Sequence, residues 1–446
     1  MKIFLSITIL FASILTASAQ KVDEILATAT GLTFTPSALS ENIRKAYVEQ
    51  DQLVADERRQ LYTEFVRDFL LEAEAKAANI TRDDVITAEL KKVAEPSEAD
   101  VKTVFDANKS AFGERKLDEV RPQIVAFLKN GLDQKAIADL TERLKAKHKF
   151  VAGKDPNSPG IKPADILFTL NASPFTVGEF DRKTKALIYD IRSEIAEEVI
   201  FDLENAVFSA LVSQEAKARS IEASDLIAVE ISNKLKAFTD EEREALETDL
   251  KKRLFAKYAV NIKVREPAPV PHDVTADDDP VFGKADSAVT VIMFSDFQCS
   301  ACSATHPVLK RVLQAYGDKA RLVVRDFPLE TVHAHAFHAS LAANAARQQG
   351  KFFEYIELLY GNQESLDDAS LKNYAVQLGL NAKQFELDFI SEKTSAEVRK
   401  DMADGLRAGA RGTPTIFVNG LRVHHLSANS FRRAIDQALS RPAARK

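Results

Sequence analysis

The stretch Phe297-Gln298-Cys299-Ser300-Ala301-Cys302-Ser303-Ala304 holds both cysteines of a 446-residue chain, set as a C-x-x-C pair. Before it, Val289 to Phe294 is a β-branched and apolar run that predicts a buried strand, and after it Ser303 to Tyr316 predicts a helix. The pair therefore falls on a strand-to-helix turn. Free backbone N–H groups and the positive end of the helix dipole stabilise a thiolate there, so Cys299 is expected to have a depressed pKa. Cys302, three residues on, lies on the same helix face and within disulfide reach of Cys299. Structural zinc needs four ligands, and no further cysteine exists to supply them. A structural bridge across so short a loop would restrain little of the unfolded chain. Thiol-disulfide exchange is the chemistry that remains, and it calls for no metal and no cofactor.

Upstream, Met1-Lys2 is followed by an apolar stretch from Ile3 to Leu15 and by Ala17-Ser18-Ala19, a small-x-small cleavage site before Gln20. Residues 1–19 thus predict a cleaved signal peptide, and the mature protein is expected to be exported to the periplasm as a soluble protein. With 66 acidic against 60 basic side chains the chain is mildly acidic, so nucleic acid is not an expected partner. Exported proteins usually spend cysteines on structural bridges, whereas this one has only the C-x-x-C pair.

The N-terminal two thirds read as mostly helical. Tyr62, Val66, Phe69, Leu70 and Ala73 recur at helical spacing, and Thr81-Arg82-Asp83-Asp84 opens a further helix with a cap-and-acid signature. A shift of 141 residues lays Glu74-Ala75-Lys76-Ala77, Ile80, Asp84 and Glu89 on Glu215-Ala216-Lys217-Ala218, Ile221, Asp225 and Glu230. A looser match pairs Asp139-Leu140 through Arg143-Leu144 with Asp249-Leu250 through Arg253-Leu254 at a shift of 110. These correspondences predict one small helical module in two copies, residues 20–153 and 161–265, separated by the turn-rich Lys154 to Gly160. Glu266-Pro267-Ala268-Pro269-Val270-Pro271 cannot continue a helix, so 266–275 reads as a stiff linker and the main domain boundary. Asp277-Asp278-Asp279 reads as a solvated acid run.

Pro96 to Val101, Asn108 to Phe112, Lys116 to Ile124 and Phe175 to Phe180 resemble the helical chaperone portion of SurA/PpiC-type periplasmic folding factors. Only Gly113-Glu114-Arg115 stands where such proteins commonly carry a parvulin domain. The resemblance implies a client-binding or oligomerising module without isomerase chemistry.

From 276 to 440 the pattern becomes strand, helix, strand, a long helical stretch, strand and helix: an α/β thioredoxin-like domain with a helical insertion. Phe294 to Cys299, Arg325-Asp326-Phe327-Pro328-Leu329, Gln349 to Tyr355 and Gly412-Thr413-Pro414-Thr415-Ile416-Phe417-Val418-Asn419-Gly420 resemble DsbA-like thiol-disulfide oxidoreductases. That resemblance makes Cys299 the exposed nucleophile and Cys302 the buried resolving thiol. It also makes Thr413-Pro414 a cis peptide facing the pair, where backbone is left free for an extended substrate strand. Two departures stand out. Ser300-Ala301 lacks the histidine of strongly oxidising relatives, so a milder oxidant is expected; and Met293 stands where many relatives bury an acid that relays a proton to the resolving thiol.

His306, four residues after Cys302, either tunes the pair or faces solvent. His333, His335 and His338 do not converge on one helix face and predict surface or capping roles rather than a metal site. At most one of His424 and His425 can approach the pair, because they alternate across a strand end. The leading function is an exported enzyme that forms or rearranges disulfides in unfolded or reduced exported proteins. A quinone-linked membrane thiol oxidant would recharge an oxidase and a reductant would serve an isomerase, with the N-terminal helices binding clients or joining a homodimer. The rival is a holdase chaperone whose thioredoxin-like domain is a scaffold.

Overall fold

The computed structural model describes residue 21 and residues 23–441; the leader read at residues 1–19 lies outside them. The strands in chain order are β1 (Ala27–Ala29), β2 (Leu32–Phe34), β3 (Val151–Ala152), β4 (Ile166–Leu170), β5 (Ser173–Thr176), β6 (Asn261–Ile262), β7 (Val281–Phe282), β8 (Val289–Ser295), β9 (Ala320–Asp326), β10 (Thr415–Val418) and β11 (Leu421–Val423). Helices make up most of the remainder, the longest being Gln50–Ala78, Leu117–Lys147 and Val177–Ala218.

The chain forms two compact units whose boundaries differ from the sequence-based domains 20–153 and 161–265. One takes residues up to Tyr62, Asp155–Pro159 and Ile188–Pro269; the other takes Thr63–Lys154, Gly160–Leu187 and everything from Val270 on. Strand pairing explains the difference. In the first unit β1 pairs with both β2 and the distant β6, and Leu26, Ala27 and Phe34 share a core with Val199, Leu203, Leu211, Leu250 and Tyr258. In the second, β4 pairs with β5 and with the earlier β3. Phe65 stacks on Phe175 at 5.9 Å, and Phe69 packs edge-on against Phe168 at 5.6 Å and tilted against Phe175 at 4.8 Å. Each sheet thus takes its hairpin from one sequence half and its third strand from the other. The strands themselves were missed in the sequence because they are two to five residues long and too short for a periodicity.

The two units carry matching bonds. Ala27 faces Phe34 across β1 and β2, and Phe168 faces Phe175 across β4 and β5, 141 positions on. Glu215 holds Lys257 at 2.6 Å and the Tyr258 hydroxyl at 2.8 Å; Glu74 holds Lys147 at 2.7 Å and His148 at 2.9 Å. Glu230 binds Arg253, and Glu89 binds Arg143. Lys257 first, then Tyr258 and Arg219, hold the Glu215 carboxyl down to about 2 against its burial.

The C-terminal region carries a five-stranded sheet ordered β11-β10-β8-β9-β7, in which β8 and β9 run parallel and the other pairs antiparallel. Both faces of β8 and β9 are apolar because helices cover both sides. Val291, Met293, Leu322 and Val324 pack against Leu309 and Leu313 of the Ser300–Tyr316 helix and against Tyr355 and Leu359 of Phe352–Gly361. On the opposite face Ile292, Phe294, Val323, Phe327 and Phe417 form a second cluster. Gly405 lets the Glu392–Arg407 helix lie against it: a Cβ there would meet the Phe327 ring at 2.8 Å.

In the acid run Asp277–Asp279 the first two residues are exposed, as expected, and only Asp279 is buried. Asp277 pairs with Lys400, Asp278 with Arg347 at 2.8 Å, and the buried Asp279 with Arg325 at 3.0 Å. The Ala320–Asp326 strand and two helices present the three cations. The linker also docks: His272 N–H donates to the Gly420 carbonyl at 2.8 Å and its ring meets Phe417 edge-on.

Candidate active site

β8 delivers the chain to a turn at Asp296–Gln298, and Cys299 is the N-cap of the Ser300–Tyr316 helix. Both are free thiols; Cys302 is fully buried, and Cys299, which the resemblance makes an exposed nucleophile, is itself buried, with 9% of its surface open. The Thr413–Pro414 peptide is cis, and the Thr413 carbonyl oxygen lies 3.5 Å from Cys299 Sγ. The backbone before β10 therefore reaches the nucleophile directly. Gln363, which the sequence reading did not single out, donates to the carbonyls of Phe297 and Cys299 at 3.0 and 2.9 Å and pins the turn.

The two thiols are driven apart in acidity. The Cys302 thiol donates to the Cys299 sulfur, and the Thr413 side chain and the backbone N–H groups of Cys302 and Ala301 add to it, holding Cys299 down to about 5 against desolvation. Burial pushes Cys302 up, and its proton shared with Cys299 adds to the rise, while the Ser295 side chain and the Asp296 backbone oppose it. At neutral pH the site holds one thiolate and one thiol. A thiolate whose sulfur keeps a small opening, next to a fully buried thiol, can attack a disulfide sulfur and then be displaced by its neighbour.

This difference predicts a measurable profile. Alkylation of the reduced protein at Cys299 by iodoacetamide should rise with pH through about 5 and level off above it, since only the thiolate reacts. A midpoint near the ordinary cysteine value of about 8.5 would show that the turn does not stabilise the thiolate.

His306 does not face solvent. It is fully buried, its ring 5.0 Å from that of Tyr360, and neither ring nitrogen has a hydrogen-bond partner. Desolvation pushes it down to about 4, so it is neutral beside the pair and adds no positive charge to steady Cys299. His333 Nδ1 lies 2.7 Å from Asp296 and His338 Nδ1 2.6 Å from Asp368, while the His335 backbone N–H donates to Gln298; the three hold separate partners. His424 and His425 follow β11 and are half-buried. Asp296 faces away from Met293: its carboxylate accepts from the backbone of Gln298 and Leu329, fixing the turn rather than the buried thiol.

Known proteins resemble part of this chain. The NhaA 1 Na(+)/H(+) antiporter of Mycolicibacterium vanbaalenii is 36% identical over 151 residues, covering 33% of this chain and 24% of that protein. NhaA 3 of Salinispora tropica is 36% identical over 151 residues, covering 34% and 23%. The chain thus spans about a quarter of the length of these relatives. Among solved structures, a thioredoxin-like oxidoreductase from Silicibacter pomeroyi is 27% identical with a TM-score of 0.35, covering 37% of this chain and 95% of that one. BdbD from Bacillus subtilis is 20% identical with a TM-score of 0.34, covering 38% and 97%. The thioredoxin family model matches residues 275–437, the segment that bears the five-stranded sheet and the cysteine pair: the C-terminal part of the chain is a thioredoxin-like domain.

Proposed function

We propose that this chain is an exported thiol-disulfide oxidoreductase that forms or rearranges disulfides in folding client proteins through Cys299 and Cys302. The observation that carries the reading is the placement of Cys299: a helix N-cap thiol held down to about 5, touching the Thr413 carbonyl and backed by a buried second thiol. A client thiolate attacks Cys299 of the disulfide form, Cys302 leaves, and the client's second thiol releases the mixed disulfide. The backbone at Thr413-Pro414 lies beside the sulfur where an extended client strand can pair. The periplasmic destination rests on the leader at residues 1–19. The clients are reduced or unfolded exported proteins, and the redox partner is a membrane thiol oxidant or a reductant.

Residues 20–265 read as two copies of one module, supported by the matching strand registers and carboxylate pairs. Their proposed role is client binding or homodimer formation, and their likeness to SurA/PpiC-type factors rests on sequence alone. Transport is not carried over from the antiporter relatives. The match spans about a quarter of their length, and among the described residues no helix is long and apolar enough to cross a membrane.

The test is the reduction potential of the Cys299–Cys302 pair, equilibrated against glutathione and read by alkylation shift. A thiol at about 5 lies between the roughly 7 of thioredoxin and the roughly 3.5 of DsbA. The expected potential therefore falls between about −270 and about −120 mV. Failure of the two thiols to form a disulfide with glutathione anywhere in that range would remove the reading.

A further inference from the structure

Cys302 has to lose its proton before it can attack Cys299, and regain it when it leaves. The β8 position that would put an acid beneath it is Met293, fully buried in the same cluster as the two cysteines. Two residues on, and on the same face by strand alternation, Ser295 places its hydroxyl against the Cys302 sulfur. Ser295 Oγ lies 2.7 Å from the Tyr360 hydroxyl, and Ser303 Oγ holds the Tyr360 carbonyl at 3.1 Å.

The next strand supplies the acid. Asp326 is the register partner of Ser295 in the parallel β8/β9 pair, so both side chains leave the sheet on the face that carries Cys302. Asp326 is 3% exposed; one carboxyl oxygen takes Asn344 Nδ2 at 2.5 Å, and the other, buried, has no partner in full hydrogen-bond geometry, although the Ser340 hydroxyl is close enough to favour its charged form. An unpartnered oxygen on a buried carboxyl is costly and calls for an explanation. Tyr360 stands within electrostatic reach of both Cys302 and Asp326.

We propose that Asp326 is the proton acceptor for Cys302, reached through the hydroxyls of Ser295 and Tyr360. The Cys302 proton passes to Ser295 Oγ and the Ser295 proton to the Tyr360 oxygen; the Tyr360 hydroxyl, which here bonds Ser295, then turns to give its own proton to the free Asp326 oxygen. The net change is thiol plus carboxylate to thiolate plus carboxylic acid. The new thiolate then forms the Cys302–Cys299 bond as the bond from Cys299 to the client sulfur breaks, and the client sulfur leaves as a thiolate. When Cys302 is itself the leaving group the proton runs the other way. The inference rests on the oxidoreductase reading.

The surroundings of Asp326 suit both directions. Burial, with repulsion from Asp401, pushes its carboxyl up to about 7, opposed by Asn344, Ser340 and Arg347. A group that is half ionised near neutral pH can both take and give a proton. His306 is also buried near Cys302, but at about 4 it is a poor acceptor.

The test uses the full-length reduced protein and glutathione disulfide, with acid quenching and separation of the Cys299–glutathione adduct from the Cys299–Cys302 disulfide by mass between pH 5 and 9. The resolving step should accelerate with pH through about 7 in the natural protein. Asp326→Asn should slow it roughly tenfold to a hundredfold at pH 7.5 and remove the inflection, with the adduct-forming step unchanged. Tyr360→Phe, which keeps the ring and its packing, should do the same, and Asp326→Glu should restore the inflection. Resolution at the natural rate and with the natural inflection in both Asp326→Asn and Tyr360→Phe would overturn the relay. Formation of neither the adduct nor the Cys299–Cys302 disulfide in the natural protein would instead overturn the oxidoreductase reading, and the relay with it.

Discussion

Cys299→Ser is expected to abolish disulfide exchange, lowering the rate of client oxidation or isomerisation by roughly a thousandfold or more, as when the nucleophile of any covalent mechanism is removed. The serine hydroxyl fits the N-cap but is not ionised at neutral pH, so the hydrogen bonds that hold the Cys299 thiolate have no charge to stabilise. Cys302→Ser should behave differently. Cys299 can still attack a client disulfide, but the group that would displace it is gone, and a mixed disulfide should accumulate to be seen on a non-reducing gel. Suppression of client aggregation that survived Cys299→Ser together with all cellular phenotypes would favour the holdase alternative. The contrast between the two serine variants separates an enzyme from a scaffold with incidental cysteines.

Arg325→Met should cost the C-terminal domain about 3–5 kcal/mol at pH 7.5, because it strips the cation from a buried group of acids. Arg325 is 1% exposed; it contacts Asp401, meets Asp404 at 2.7 Å and Asp279 at 3.0 Å, and lies over the Phe294 ring. Burial pushes the Asp401 carboxyl up, opposed by Arg325, and burial with repulsion from Asp401 pushes Asp279 up to about 8. Asp279 therefore keeps its proton at neutral pH while Asp401 depends on the guanidinium. In the variant these acids have their folded pKa values raised further above the unfolded range. The folded state then binds the extra protons, and its stability falls as pH rises through those values. The deficit should accordingly shrink between pH 7.5 and pH 5, which urea midpoints at the two pH values would read. An equal loss at both, or one below about 1 kcal/mol, would mean that the cluster is stabilised by packing rather than by charge.

The local parts of this protein are written in consecutive residues. Val289 to Ser295 is apolar on both faces and becomes a strand, Ser300 to Tyr316 carries the apolar spacing of a helix and becomes one, and the cysteines fall at the join. That placement sets the Cys302 thiol, the largest cause of the depressed Cys299, three residues on, and adds the free N–H groups of the helix start. Thr413 beside Cys299 was legible only through resemblance, because 114 residues separate them and no local pattern ties one to the other.

What the tertiary structure decided is what distant segments do to one another. The sequence places the helices of each half but not the short strands between them, still less that β1 closes on the distant β6; with that closure the domain boundaries move. The same holds for charge. Asp279 reads as a solvated acid until β9 brings Arg325 to it, and whether His306 tunes the pair or faces solvent stays open until Tyr360 covers it. Ser295 and Asp326 are unremarkable polar residues at two strand ends until the parallel register sets them side by side. Sequence fixes hydrophobic period, capping and the chemistry of each side chain; burial and partnership, which decide whether a group is charged, come only from the surfaces that meet when the chain folds.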